Sequence, residues 1–223
     1  MNNIKLIFIG LLILNSGTIY GQTNRFDIGI EGSPGLTFLR GNDFIDKYHN
    51  TTMSFSGGFF FQFNFKKIIS LHTNIAYERK GSITTAQATN MYGNSIGEVT
   101  INTNFDYLTI PILLRATFGK KVQFFVNGGP YFGYLLKNTF VSKGDNIPRT
   151  TGDNTKFNKR FDTGISTGLG LSVPVKTRFA VSFEIRNNLG LYNVSAGPVV
   201  NNGTIKTNST NFLFGFIYRL GLR

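Results

Sequence analysis

Positions two apart between Met53 and Phe65 form an almost wholly apolar stripe: Met53, Phe55, Gly57, Phe59, Phe61, Phe63 and Phe65. The residues between them, Ser54, Ser56, Gly58, Phe60, Gln62 and Asn64, are mostly small or polar. Only an extended chain returns to one face every second residue, so this stretch is predicted to be a β-strand with one greasy and one mild side. The pattern recurs downstream. Phe179, Val181, Phe183 and Ile185 alternate with Ala180, Ser182, Glu184 and Arg186, and Phe212, Phe214, Phe216, Tyr218, Leu220 and Leu222 share one side.

Eight such strands can be drawn, at approximately Arg25–Leu39, Thr52–Phe65, Ile68–Lys80, Asn102–Phe118, Val122–Asn138, Phe157–Val173, Arg178–Leu191 and Asn208–Leu222. Their connections alternate in length. The links Lys66-Lys67, Gly119 to Lys121 and Pro174 to Thr177 are very short, whereas those near 40–51, 81–101, 139–156 and 192–207 are long. Tight turns at one end and long loops at the other, with both termini on the turn side, are the layout of an antiparallel up-and-down transmembrane β-barrel. Pro111 and Pro130 fall inside strands, where each removes a ladder hydrogen bond and calls for a bulge. Gly32-Ser33-Pro34-Gly35 reads as a bend in strand one or as its early end.

A soluble eight-stranded barrel would put its apolar side inward around a ligand. The polar side here is built from Gly, Ser, Thr and Asn, too small and too uncharged for a solvated exterior. The apolar side is too aromatic for a narrow lumen, which at eight strands is only just wide enough for its own side chains. The greasy face is therefore expected to meet lipid. Composition agrees: charged residues are 15% of the chain, against roughly 25% in ordinary soluble domains, with 23 Phe and 26 Gly.

That choice of parity sends a set of charges inward: Asp27, Glu31, Glu78, Arg115, Asp162, Glu184, Arg186 and Arg219, with His72 nearby. Strand direction places Asp27 and Glu31 beside Arg219, and Asp162 towards Arg186. Unpaired charges in a narrow, poorly solvated interior cost several kcal/mol each, so an internal ion-pair network of structural role is expected. A proton or ion path is the sharper alternative.

In a chain of 223 residues, residues 1–21 read as a secretory signal: Lys5, then the short apolar run Leu6 to Leu14, then a small, polar tail with cleavage expected after Gly21. The run is about half of the roughly 20 residues a membrane-spanning helix needs. Residues 22–223 then form one barrel domain. The formal net charge of +12 raises nucleic-acid binding, but the basic residues are scattered over turns and loops with no recognisable module, so no nucleic-acid partner is expected. Lys66, Lys67, Lys120, Lys121, Lys176 and Arg178 gather at the short-turn end, either against anionic lipid phosphates or as charged turns that discourage edge pairing. The absence of Cys excludes a disulfide framework.

No catalytic, metal or cofactor constellation stands out. His49 lies in the first long loop within reach of Asp43 or Asp46, His72 faces the lumen, and neither has metal-ligand spacing. No enzyme activity is expected.

Several motifs resemble those of the PorT-type outer-membrane β-barrel family of Bacteroidetes. FDYLTIPILLRATFG (Phe105 to Gly119) is similar to its Tyr-Leu-x-Ile-Pro signature and VQFFVNGGPYFGYLL (Val122 to Leu136) to its Gly-Pro-Tyr strand. RFDTGISTGLGL (Arg160 to Leu171) is similar to its Asp-x-Gly strand, and FDIGIEGSPGLTFL to its N-terminal segment. The resemblance implies an eight-stranded barrel of the Gram-negative outer membrane, with Tyr107, Pro111, Pro130, Tyr131 and Asp162 at structural family positions. Together these readings predict an integral outer-membrane barrel with a plugged lumen, surrounded by outer-membrane lipids. It would act through its loops or wall on a protein partner, as an accessory to a secretion or envelope complex. A narrow porin-like transporter for small solutes and a membrane-embedded hydrolase or acyltransferase are the alternatives.

Overall fold

The computed structural model describes residues 25–65, 68–144 and 147–220. The signal segment 1–21, Lys66 and Lys67 lie outside the described residues. Nine strands follow in order: β1 (Phe26–Arg40), β2 (Thr52–Asn64), β3 (Ile69–Thr89), β4 (Ser95–Phe118), β5 (Gln123–Gly144), β6 (Ile147–Asp153), β7 (Phe161–Pro174), β8 (Phe179–Gly190) and β9 (Lys206–Leu220). A short helix α1 (Asp43–Tyr48) follows β1 and is capped by the Asn42 side chain, which accepts from the Ile45 amide at 2.9 Å.

The order β4-β3-β2-β1-β9-β8-β7-β5, all antiparallel, is closed into a ring by β4 against β5. Eight strands make the barrel. β6 stands outside the ring and pairs only with the upper end of β5, above the point where β7 leaves it. Closure removes every open edge from the ring, the condition under which strands can lie in hydrocarbon with their backbone groups satisfied.

Alternation decides the faces. Phe59 is 73% exposed, Phe214 57% and Phe216 64%, whereas Ser54, Asn74, Ser166 and Asn211 point inward and are buried. Aromatic pairs mark both ends of the apolar band. Phe55 stacks on Tyr77 at 5.6 Å and Tyr134 meets Phe161 edge-on at 5.6 Å on the long-loop side. Phe179 with Tyr218 (5.2 Å) and Phe26 with Phe63 (5.1 Å) lie on the turn side. Rings that are apolar in body and polar at the tip suit the two membrane–water boundaries.

Four aromatic side chains off the lipid face are seated opposite glycines. Phe60 is in register with Gly29, Phe125 with Gly170, Tyr131 with Gly164 and Phe140 with Gly152. At each of these glycines an added Cβ would come within 2.8 Å of the facing ring. At these positions the neighbouring strand makes room for a large ring by supplying no side chain.

Five expectations from the pattern are corrected. The 81–101 segment is not a loop: β3 and β4 continue through it, closing at a turn around Asn90–Asn94. Most of 139–156 is likewise the β5–β6 hairpin, and β7 begins at Phe161 rather than Phe157, which sits in a 3-10 turn. These polar, Thr-rich stretches read as loops because nothing greasy marks a face once a strand has left the membrane. The Gly32–Gly35 segment neither bends off nor ends β1, whose pairing with β2 runs through Pro34↔Phe55. Pro111 and Pro130 need no bulge either, since the pairs Pro111↔Tyr131 and Pro130↔Ile165 keep the register of their neighbours. The shift on the β4–β5 seam falls instead between Asp106 and Tyr107. Gly119, at φ +100°, makes the β4–β5 turn possible.

Candidate functional site

The barrel interior gathers most of the buried polar chemistry, in three tiers that the inward parity of the strands stacks from the turn side to the long-loop side. In the lowest tier, Asp27 Oδ2 accepts from Asn64 (3.0 Å) and Gln62 (3.3 Å). Arg219 sits beside Asp27 in register but donates from Nη2 to Gln123 Oε1 at 3.1 Å, so the seam pair expected there is not an ion pair.

The middle tier is built around Arg186. Its Nε donates to Glu184 Oε1 at 2.6 Å and its Nη1 to Glu31 Oε1 at 2.9 Å, bridging β8 to β1 over the intervening β9. Arg115 donates to Glu184 Oε2 at 2.8 Å and to Gln62 Oε1 at 3.1 Å. Asn127 donates to Glu184, and Asn74 to Glu31. His72 stacks on Phe60 at 5.1 Å and lies 3.9 Å from Glu31 through Nε2. Two guanidiniums and two carboxylates balance, and fork-to-carboxylate geometry is the strongest form such pairing takes. Glu31 therefore finds Arg186 rather than Arg219.

The upper tier contains the partner that sequence reasoning missed. Lys80 Nζ donates to Asp162 Oδ2 at 3.0 Å and lies 3.9 Å from Glu78 Oε2. Asp162 also accepts from Tyr131 Oη (3.0 Å) and Thr207 Oγ1 (2.7 Å). Glu78 accepts from Asn188, from Ser209 at 2.6 Å and from Asn211 at 2.7 Å. Asp162 is thus held by Lys80, not by Arg186. Lys80 shares the parity of His72, Asn74 and Glu78. The pattern ends strand three at Lys80, where a charged residue reads as the start of a loop.

An apolar cap lies above the tiers. Tyr107 and Leu135 pack with Phe105, Leu39, Ile45 of α1 and Val194 of the β8–β9 connection. Two of the long connections therefore fold inward over the mouth. Pro111 is buried on the inner face, and its carbonyl accepts from Thr73 Oγ1 at 2.7 Å. Pro130 lies outward on β5. His49 Nδ1 lies 2.8 Å from Ser82 Oγ, while Asp46 accepts from the Gly41 amide. Burial pushes the His49 ring below its ordinary pKa near 6.5. Ser82 is itself buried.

Closed strand ring, lipid-facing aromatic band and polar, ion-paired interior define an integral β-barrel of the outer membrane. The chain belongs to the outer membrane protein beta-barrel domain family, whose sequence profile matches residues 18–196. Among solved structures it is similar in shape to neisserial surface protein A, at 9% identity with 90% of this chain and 100% of that one covered and a TM-score of 0.46. It is also similar to the attachment invasion locus protein Ail of Yersinia pestis, crystallised with the heparin analogue sucrose octasulfate (10%, 87% and 99%, 0.40). OprG from Pseudomonas aeruginosa is a third (10%, 88% and 97%, 0.40). The likeness extends to barrel shape and no further. No curated protein sequence matches the chain.

Proposed function

We propose that this barrel is a plugged, non-conducting component of the outer membrane that works through contacts of its long-loop end with another envelope protein. The observation that carries this reading is the middle tier: Arg186 on β8 is tied to Glu31 on β1, and Arg115 on β4 reaches Glu184 on β8, with the apolar cap closing the mouth above them. A solute would have to break charge-assisted bonds on both sides to pass. The contact surface is supplied by the β3–β4 hairpin, whose tip presents Met91 and Tyr92 almost fully exposed. That tip is held in shape by Asn90 Oδ1, which accepts from the amides of Tyr92 and Asn94, both at 3.0 Å. The motif resemblance to PorT-type barrels supports placing that contact in a secretion or envelope complex. A non-enzymatic role is supported by the burial of Ser82, which leaves the His49–Ser82 contact out of a substrate's reach.

Planar-bilayer recording of the purified chain tests the plug. No steady openings are expected from the wild type, and intermittent ones from Arg186→Met, which leaves Glu31 without its guanidinium while Arg115 still holds Glu184. Steady wild-type conductance would instead favour the porin-like alternative.

A further inference from the structure

On the long-loop side the barrel wall is not smooth. β2 makes its last pair with β3 at Phe55↔Arg79, whereas β3, β4 and β5 continue upward and are joined by β6. Between the upper end of β2 and this four-strand extension lies an open groove of about 430 Å³ on the outer surface. Its lower lip is Met53 and Phe55, the top of the lipid-facing stripe of β2, with Met53 76% exposed. Its wall carries the amides of Asn102 and Asn104 and two guanidiniums, those of Arg79 and Arg149.

The two arginines differ in a way that matters. Arg79 is locked: Nε and Nη2 donate to Asp106 at 2.7 and 3.1 Å, Nη2 also to Tyr77 Oη at 3.2 Å, and the guanidinium lies 5.1 Å from the centre of the Phe55 ring. Its Nη1 remains free to donate into the groove. Arg149 forms no hydrogen bond or ion pair with any described residue. Since Asp106 already answers Arg79, the charge left over in the groove is positive. An apolar lip at the membrane edge, beneath fixed amide and guanidinium donors and an uncompensated positive charge, matches one kind of molecule: an amphiphile with an anionic head.

We propose that this groove seats the phosphate headgroup of a membrane lipid from the leaflet on the long-loop side. Arg149 and Nη1 of Arg79 donate to the phosphate oxygens, the Asn102 and Asn104 amides complete the cradle, and the first acyl carbons lie over Met53 and Phe55. The site is independent of the plug and stands whether or not the lumen conducts.

The test uses the full chain in phosphatidylcholine vesicles with a photoactivatable phosphatidic acid or its uncharged diacylglycerol counterpart, cross-links being mapped by peptide mass. The phosphate-bearing probe should label the peptide containing Met53 and Phe55, and the diacylglycerol probe should label it far less. Arg149→Gln should cut the phosphate-dependent labelling about fivefold, the worth of one basic residue at a lipid surface. Arg149→Lys should keep most of it. The double variant Arg79→Gln/Asp106→Asn, which removes the locked arginine without stranding a carboxylate, should give a similar loss. Equal labelling by both probes, or unchanged labelling in Arg149→Gln and the double variant, would overturn the proposal. So would full competition by inorganic phosphate at the probe's own concentration, since the groove would then read a free anion and not a lipid.

Discussion

Lys80 and Asp162 meet at 3.0 Å with no solvent access to either side chain, although 82 residues separate them along the chain. The contact joins β3 to β7 across the lumen, and those two strands are not neighbours in the sheet. It therefore holds the cross-section of the barrel in a way that ladder hydrogen bonds cannot.

Removing one partner of such a pair leaves a buried charge unanswered. Lys80→Met should destabilise the folded barrel by about 3–5 kcal/mol. Adding Asp162→Asn to it should recover part of that loss, because the stranded charge disappears with its partner. Urea unfolding in lipid vesicles, followed by tyrosine fluorescence, measures both. Equal stability of wild type and Lys80→Met would show that the pair contributes nothing.

The glycine facing Phe125 predicts a second sensitivity. At Gly170 an added Cβ would lie 2.6 Å from Phe125 Cζ and 2.4 Å from the Phe183 carbonyl oxygen, whereas at Gly197 nothing lies within 4 Å. Gly170→Val should cost about 1–3 kcal/mol by overpacking, while Gly197→Val should leave the unfolding midpoint where it is. The two variants compared side by side separate ring seating from a general effect of losing a glycine.

The outward aromatic stripe is solvated by acyl chains. Phe59 sits mid-strand between Ile30 and Ile75 on the outer face. Phe59→Lys should therefore cost about 2–4 kcal/mol, as a basic residue does near the bilayer midplane, and Phe59→Leu much less. Folding yield into vesicles of each variant reports the difference. A lysine tolerated there without loss would contradict the lipid-facing assignment.

Acid should loosen the first long connection. Burial holds the His49 ring below its ordinary pKa near 6.5, so the folded form keeps it neutral. The unfolded segment takes up a proton first as pH falls. The contribution of His49 is therefore complete above about 6.5 and declines below it, towards the depressed folded value. The backbone bridge between Asn50 and Ile83, with N–O distances of 2.7 and 3.1 Å, lies next to this ring. Amide exchange at those two residues, corrected for its intrinsic pH dependence, should quicken below that pH in the wild type. His49→Asn should abolish the added acceleration.

Much of the architecture is a local property of the chain. A strand repeats every two residues, so the alternation at Met53–Phe65 and Phe179–Arg186 fixes which side chains share a face, and the chemistry of those faces fixes which one meets lipid. The inward set of Asp27, Glu31, Glu78, Arg115, Asp162, Glu184 and Arg186 follows from that parity, and these side chains are buried together in the lumen. Once the strands leave the bilayer the signal fades. In the β3–β4 and β5–β6 hairpins Thr, Asn, Ser and Gly fall on both faces, so no greasy period survives to be read.

What parity cannot supply is partnership. Every inward charge shares one narrow space, and which carboxylate an arginine reaches depends on the stagger of strands around the ring, the length of each side chain and the height of its tier. Those quantities belong to the closed barrel. They give Arg186 to Glu31 and Glu184, Asp162 to Lys80, and Arg219 to Gln123, and they bring Arg79 and Arg149 to one groove from strands that never pair with each other.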